Sequence, residues 1–286
     1  MSMLADSQDL SDVKAFCPSA QCNWDPYTTL AICYFVEDVS SQLVEQPYSI
    51  EGSKQITLPG LTISNTNDYL TTWFTTIFSV NGIARAIGPP QSDFNASELQ
   101  RMSPESNFDV AHVYLAYQDP CLMKNMSDTS KQSWRAFKAT TKICLQTLNT
   151  TYNGSTETTV IKSYTNPEWT TTNSSQSRSS RPNGNWTTNL GNNLETFSVD
   201  FKTAELIGNQ LATLFNSSVS IIPGRENHFY GSMFPSRIVS NVLGPNMSVC
   251  ANGTVYGLPA FDKRIANVAI GLTNAYVSLS PCCLSI

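Results

Sequence analysis

KATTKICLQTLNTTYNGSTETTVIKSY, residues Lys138–Tyr164, carries the strongest local signal in the sequence. Both halves of this stretch are rich in Thr, Ile and Val, whose branched side chains favour strands. Between the halves lies Asn153-Gly154, and Asn-Gly is the preferred pair for a two-residue turn whose two residues both need a positive φ. The stretch therefore predicts a β-hairpin with strands Lys138–Tyr152 and Thr156–Tyr164.

The segments before the hairpin predict one helix and one strand. Apolar residues recur at three- and four-residue spacing along Asp68–Ile87, which predicts an amphipathic helix with Asn67 or Asp68 as N-cap. Gly82 is expected to weaken or break this helix, because glycine costs about 1 kcal/mol in a helix interior. Val110–Tyr117 instead alternates with period two and predicts a strand whose odd and even positions face opposite ways.

The segments after the hairpin complete an α+β pattern. Residues 165–193 are low in complexity and rich in Ser, Thr and Asn, so we expect a long flexible loop or a glycosylated flap. Phe201–Phe215 predicts a helix capped by Ser198 or Asp200. Val249–Tyr256 predicts a strand, a turn and a strand, and Asp262–Tyr276 predicts a last helix. The fold class expected is α+β, with antiparallel β-hairpins packed against about three amphipathic helices and stapled by disulfides.

Composition and charge exclude two classes of partner. The chain has 286 residues and a net charge of −5, and it contains no run of Lys or Arg. Nucleic acids and anionic membrane surfaces both need clustered cations, so neither is expected as a partner. Charged residues are 14% of the chain, below the usual share of about 25%. Ser, Thr and Asn replace them, which suits a secreted or cell-surface protein. The length allows one large domain or two closely fused lobes, and residues 1–286 are interpreted as a single domain of extracellular type.

Cysteine content predicts a disulfide framework. The count of eight is even but allows about 105 connectivities, so no pairing follows from it. Structural zinc sites use cysteine pairs separated by two residues, and this sequence has no such pair. We therefore interpret the cysteines as disulfide-bonded, in preference to metal ligands or free thiols. The adjacent Cys282 and Cys283 lie in a tail, residues 277–286, that we expect to be non-native or truncated. The disulfide candidates are Cys17, Cys22, Cys33, Cys121, Cys144 and Cys250.

Asn-x-Ser/Thr glycan acceptors also indicate an extracellular protein. The chain contains nine of them, none with proline in the middle. A glycan is bulky and hydrated, so each used acceptor is expected on the surface. The glycosylation candidates are Asn95, Asn125, Asn149, Asn153, Asn173, Asn185, Asn216, Asn246 and Asn252.

No catalytic or cofactor-binding constellation stands out. There is no Gly-x-Ser-x-Gly elbow, phosphate-binding loop or dinucleotide fingerprint, and the carboxylates are scattered singly. His228, beside Glu226, is the one candidate general base, and a surface-loop histidine is the simpler interpretation. The five Trp residues could stack on sugars, although core packing is the commoner fate of Trp. We therefore predict no catalytic residue, no metal and no cofactor.

The sequence contains no targeting signal, although its cysteines and glycan acceptors indicate an oxidising compartment. The first residues, Met1–Asp12, lack the apolar core of a signal peptide, and no window reaches the length of a transmembrane helix. The chain is therefore expected to be a fragment or the product of a truncated gene model.

One cysteine-rich run is similar to a known motif. CPSAQCNWDPYTTLAIC, Cys17–Cys33, lies within residues 15–40 and is followed by Asp38-Val39-Ser40. It resembles the motif that opens the ectodomain of a large family of fungal multi-pass membrane proteins of unknown function. Leu58-Pro59-Gly60, the stretch from Cys144 to Gly154 and the Ile265–Asn274 helix resemble later landmarks of that family.

The resemblance implies location and topology but no chemistry. In this sequence Val36 stands where the family usually has a fourth cysteine. One of Cys17, Cys22 and Cys33 must therefore find a distant partner or stay free. The family is expected to carry transmembrane helices on both sides of this domain, so a membrane is involved only through segments absent from this chain.

Three hypotheses for the function follow. The first is a non-enzymatic, membrane-anchored ectodomain that acts in cell-surface interaction or sensing, with a cell-wall or surface partner. The second is a secreted glycan-active hydrolase, and the third is a degenerate paralogue without activity.

Overall fold

A computed structural model describes residues 21–47, 54–59, 61–65, 71–80, 83–87, 97, 109–119, 122, 130–154, 156–173, 184–190, 195–215, 217–220, 228–231 and 258–279. Within these ranges the chain is mostly antiparallel sheet with two α-helices. The strands are β1 Gln21–Asn23, β2 Tyr27–Asp38, β3 Val44–Pro47, β4 Lys54–Leu58, β5 Leu61–Asn65, β6 Thr71–Val80, β7 Ile83–Ile87, β8 Asp109–Gln118, β9 Trp134–Asn153, β10 Thr156–Thr165, β11 Thr170–Asn173, β12 Gly184–Leu190, β13 Glu195–Asp200, β14 Ser217–Ser220 and β15 His228–Gly231; the helices are α1 Phe201–Phe215 and α2 Leu258–Leu279.

The longest strand, β9, organises the main sheet. Along one edge its 20 residues pair first with β8 and then with β10, and along the other edge with β2 and then β1. Beyond β8 the sheet continues through β6, β14 and β15, with β7 also on β6, which makes nine strands among the described residues. All of these pairings are antiparallel. The pairs β9–β10 and β6–β7 join neighbouring strands, whereas β2–β9 and β6–β14 join segments that are far apart in the sequence.

The predicted hairpin is confirmed, but its turn lies one residue later than expected. Asn153 pairs with Thr156 and still belongs to the ladder, while Gly154 follows with a φ of 66°. A positive φ suits glycine because it has no Cβ to clash with the backbone. Asn153 therefore ends a strand instead of occupying the turn.

The two faces of the main sheet are buried by different layers. On one face Val113, Leu115 and Phe137 join a core with residues of α1 and α2. On the other face Tyr114 and Trp134 pack with the small sheet β3-β4-β5. The strand predicted at Val110–Tyr117 is thus confirmed as β8, with its odd and even positions buried in separate cores because side chains alternate along a strand.

The helix predicted at Asp68–Ile87 is wrong. Thr71–Val80 forms β6, which pairs with β8, β14 and β7, and Ile83–Ile87 forms β7. Branched and aromatic residues dominate this segment and favour a strand once neighbours are present to pair with it. With this segment in the sheet, the described residues contain two helices and not about three.

The flexible loop predicted at 165–193 is also wrong over its described parts. Strands β11, β12 and β13 form a separate three-stranded sheet. Trp169 is buried, and its Nε1–H donates to the Ile143 carbonyl at 3.3 Å. Trp186 of β12 also packs against this core, so large aromatic side chains supply the apolar surface that holds this otherwise polar segment in place.

Both C-terminal helix predictions are confirmed. α1 spans the predicted Phe201–Phe215, and the Thr203 N–H donates to Asp200 Oδ1 at 2.6 Å, so Asp200 is the cap. α2 contains the predicted Asp262–Tyr276 and continues to Leu279, so the first three residues of the predicted non-native tail are helical. The predicted elements at Val249–Tyr256 and the remainder of that tail lie outside the described residues.

Replacing Asp200 with Ala should lower the free energy of unfolding by about 1 kcal/mol, because α1 loses its cap. The free energy of unfolding of Asp200→Asn should stay close to that of the parent, since an amide oxygen accepts the same hydrogen bond. Urea denaturation of the three proteins measures both effects. Equal losses from Ala and Asn would show that the capping bond is not what Asp200 contributes.

The domain should lose stability above about pH 10. Burial raises the pKa of Tyr114 and of Tyr117, and the nearby carboxylates Glu37 and Asp119 respectively add to the effect. The folded pKa exceeds the unfolded value of about 10, so the stabilisation is complete below pH 10 and is lost as pH rises towards the folded pKa. The urea concentration at which half of the protein is unfolded should fall as the pH is raised from about 8 to about 11.

The double variant Tyr114→Phe/Tyr117→Phe tests whether ionisation of these two tyrosines causes the alkaline loss of stability. It should flatten this alkaline loss, because phenylalanine has no proton to release. Tyr117 Oη has no hydrogen-bond partner in the described chain, so its removal should cost little at pH 8. A double variant with the full alkaline slope of the parent would contradict the assignment.

Candidate functional site

A cavity of about 340 Å³ lies between the main sheet, the β11–β13 sheet and both helices. Its inner wall is apolar and buried, with Ile32, Ile143, Val199 and Ile207 as the main contributors. These four residues come from β2, β9, β13 and α1, so the cavity exists only when all of these elements are assembled. The lining residues are Thr28, Thr29, Leu30, Ala31, Ile32, Ile143, Phe197, Ser198, Val199, Asp200, Thr203, Ile207 and Thr273.

The mouth of the cavity is polar. Ser198 and Asp200 are exposed, and Thr203 is half-buried beside them at the start of α1. Asp200 is the one charged side chain in the lining. The cavity thus combines an apolar interior with a rim of hydroxyls and one carboxylate, the usual composition of a small-molecule site.

A hydrogen bond between β2 and α2 fixes the back of the cavity. The Ile32 N–H donates to Thr273 Oγ1 at 2.9 Å, and the Thr273 hydroxyl donates to the Ala269 carbonyl at 2.9 Å. Both groups are buried. The helix therefore closes part of the outer edge of β2 and stands at a defined distance from it.

A histidine–carboxylate pair lies on the opposite face of the sheet. His112 Nε2 is 3.5 Å from Asp109 Oδ2, and its ring meets Tyr114 edge-on at 6.4 Å. His112 is 7% exposed, so a substrate has little access to it. Because Val113 on the cavity side of β8 alternates with His112, the pair does not belong to the cavity.

The residues considered for hydrolysis do not converge. His228 is the first residue of β15 and pairs with Ser220, while Glu226 lies outside the described residues. Trp134 and Trp169 are core residues, and Trp186 packs edge-on against Phe201 with ring centroids 5.7 Å apart. None of these three Trp residues lines the cavity.

Two of the predicted disulfide cysteines are joined to each other. Cys33 of β2 bonds to Cys144 of β9, with their Cα atoms 5.8 Å apart and 111 residues between them in sequence. Cys33 thus has a partner in a distant segment of the chain. Cys22 on β1 is also disulfide-bonded. Cys17, Cys121, Cys250, Cys282 and Cys283 lie outside the described residues.

Three glycosylation candidates have described side chains. Asn153 and Asn185 are exposed at the end of β9 and near the start of β12, whereas Asn149 is half-buried within the ladder. Asn173 ends β11, where it pairs with Gly184. Asn95, Asn125, Asn216, Asn246 and Asn252 lie outside the described residues.

No signal in the sequence indicated the cavity. Its lining comes from four separated segments of the chain, and its one carboxylate, Asp200, was singled out only as a helix cap. In the described ranges no three His, Cys, Asp or Glu side chains group as metal ligands, and no helix there has the length and hydropathy to span a membrane.

We compared the chain with protein-family models, with curated proteins and with solved structures, and found no match in any of the three. The resemblance of Cys17–Cys33 to the fungal ectodomain family stays a prediction.

Removing the Cys33–Cys144 bond should cost about 3–5 kcal/mol in the free energy of unfolding, because the bond closes a loop of more than a hundred residues in the unfolded chain. The test is urea denaturation of Cys33→Ala/Cys144→Ala against the oxidised parent. A loss under about 1 kcal/mol would show that the bond does not constrain the unfolded chain as its span requires.

Proposed function

We propose that this chain is the ectodomain of a fungal membrane glycoprotein and acts by recognition at the cell surface, in interaction or sensing, without catalysing a reaction. The observation that carries the proposal is the Cys33–Cys144 bond between the two longest strands of the sheet. Stable disulfides persist in oxidising compartments and are rare in the cytosol. The bond therefore supports an extracellular location.

The positions of the glycan acceptors support the same compartment. Asn153 and Asn185 are exposed at strand ends, where a bulky glycan meets solvent and leaves the ladder intact. Asn149 lies between β10 and the β1–β2 edge and is half-buried, so it is the poorer acceptor.

The cavity supports recognition over glycan hydrolysis. Glycosidases use two carboxylates that flank the scissile bond, about 5–10 Å apart. The cavity has one carboxylate, Asp200, whose Oδ1 already accepts the capping hydrogen bond of α1. Its apolar wall and polar rim are suited to binding a small molecule.

Secretion of the chain from yeast behind a grafted signal peptide should give protein with the Cys33 and Cys144 peptides linked. Peptide mapping by mass spectrometry without reductant detects the link. The same map should show glycan at Asn153 and Asn185 and lower occupancy at Asn149, because exposure decides access.

Asn153→Gln and Asn185→Gln serve as matched controls for glycan assignment, each removing one glycan mass. Free, alkylated thiols at both Cys33 and Cys144, with no sugar at any acceptor, would refute the extracellular assignment.

A further inference from the structure

We infer that the cavity binds a small apolar molecule that carries one hydrogen-bond donor, a hydroxyl or an ammonium group, with the donor held at Asp200. The inference rests on the proposed recognition function and deepens it, because it names the chemical class of the ligand. It is carried by the geometry of the cavity wall and mouth.

The interior of the cavity selects an apolar body. Ile32, Ile143, Val199 and Ile207 are each at most 8% exposed, and half-buried Leu30 and Phe197 extend this apolar surface outward. A volume of about 340 Å³ lies near the lower end of the range for ligand pockets, so the ligand is small. Its burial removes apolar surface from water on both sides of the contact, which is the main favourable contribution to its binding.

Polar atoms deep in the cavity are already satisfied by the protein. Thr273 Oγ1 accepts from the Ile32 N–H and donates to the Ala269 carbonyl. Thr28 Oγ1 and Thr147 Oγ1 share a hydrogen bond at 3.2 Å. A polar group at the inner end of a ligand would lose its hydrogen bonds to water without gaining replacements, so the inner end must be apolar.

The side chains at the mouth of the cavity favour a ligand that carries a hydrogen-bond donor. Asp200 uses Oδ1 to cap α1, and within the described chain Oδ2 accepts no hydrogen bond. A carboxylate accepts hydrogen bonds and donates none, so it attracts a hydroxyl or an ammonium and repels an acid. Ser198 and Thr203 add hydroxyls beside it. Ligands with a carboxylate or phosphate head are therefore selected against.

A series with one chain length and three head groups tests this selection. The probes are 1-octanol, octylammonium and octanoate, titrated into the oxidised full chain at pH 7 and followed by NMR chemical shifts and by unfolding temperature. We expect 1-octanol and octylammonium to bind, with shifts at residues that line the cavity. Octanoate should bind roughly tenfold more weakly, the change associated with a hydrogen bond to a charged group.

Matched variants separate the Asp200 contact from the overall negative charge of the protein. Asp200→Asn keeps the cap but removes the negative charge. The affinity for octylammonium should therefore fall roughly tenfold, and the affinity for octanoate should rise. Glu205→Gln removes one charge from the same helix but not from the cavity lining, so both affinities should stay unchanged. Ser198→Trp, at an exposed position of the mouth, should weaken all three probes without lowering stability.

Three results would overturn the inference: none of the three probes binds, octanoate binds as tightly as 1-octanol, or Asp200→Asn and Glu205→Gln have equal effects. These failures differ from a failure of the proposed function. Loss of the extracellular assignment would appear as free thiols and bare acceptors in the peptide map, whatever the probes do.

Discussion

Backbone pairing along β9 is the constraint on which the rest of the structure depends. Residues Trp134–Asn153 form hydrogen-bonded ladders with β8, β10, β2 and β1. β10 is the next strand of the chain, whereas β1 and β2 lie more than 90 residues before β9. A backbone amide left unpaired in this buried strand would lose the hydrogen bonds that it makes to water in the unfolded chain. β2 and β8 therefore have to pair in register with β9 for the core under the helices to close, because Ile32 and Val113 belong to that core.

Side-chain alternation along β9 then gives each face its own role. Phe137, Ala139 and Ile143 belong to the core that the helices cover, and Ile143 also lines the cavity. Trp134 and Ala136 instead pack with the small β3-β4-β5 sheet. The Cys33–Cys144 bond ties β2 to β9 directly after Thr28–Ile32, the part of β2 that lines the cavity. The disulfide therefore helps to hold this wall of the cavity in place.

Local signals predicted the elements whose stability is local. The hairpin around Gly154 and helix α1 were found because a turn residue, a cap and an apolar stripe lie within a few residues of each other. β6 was mistaken for a helix because its apolar spacing fits either period, and only pairing with β8 and β14 decides between them. Trp169 was placed in a loop because its buried partner, Ile143, lies in another strand. The cavity was not predictable for the same reason, since no single segment contains it.

Hydrogen–deuterium exchange of the oxidised protein tests most directly whether β9 is the organising element. The amides of β9 in Phe137–Lys142 and Leu145–Leu148, where strands pair on both edges, should exchange more slowly than those of α1 or α2, because they open only when the whole sheet unfolds. Reduction of Cys33–Cys144 should speed exchange in β2 before it does so in β9. Helix amides that outlast those of β9 would contradict the account, because the sheet would then depend on the helices.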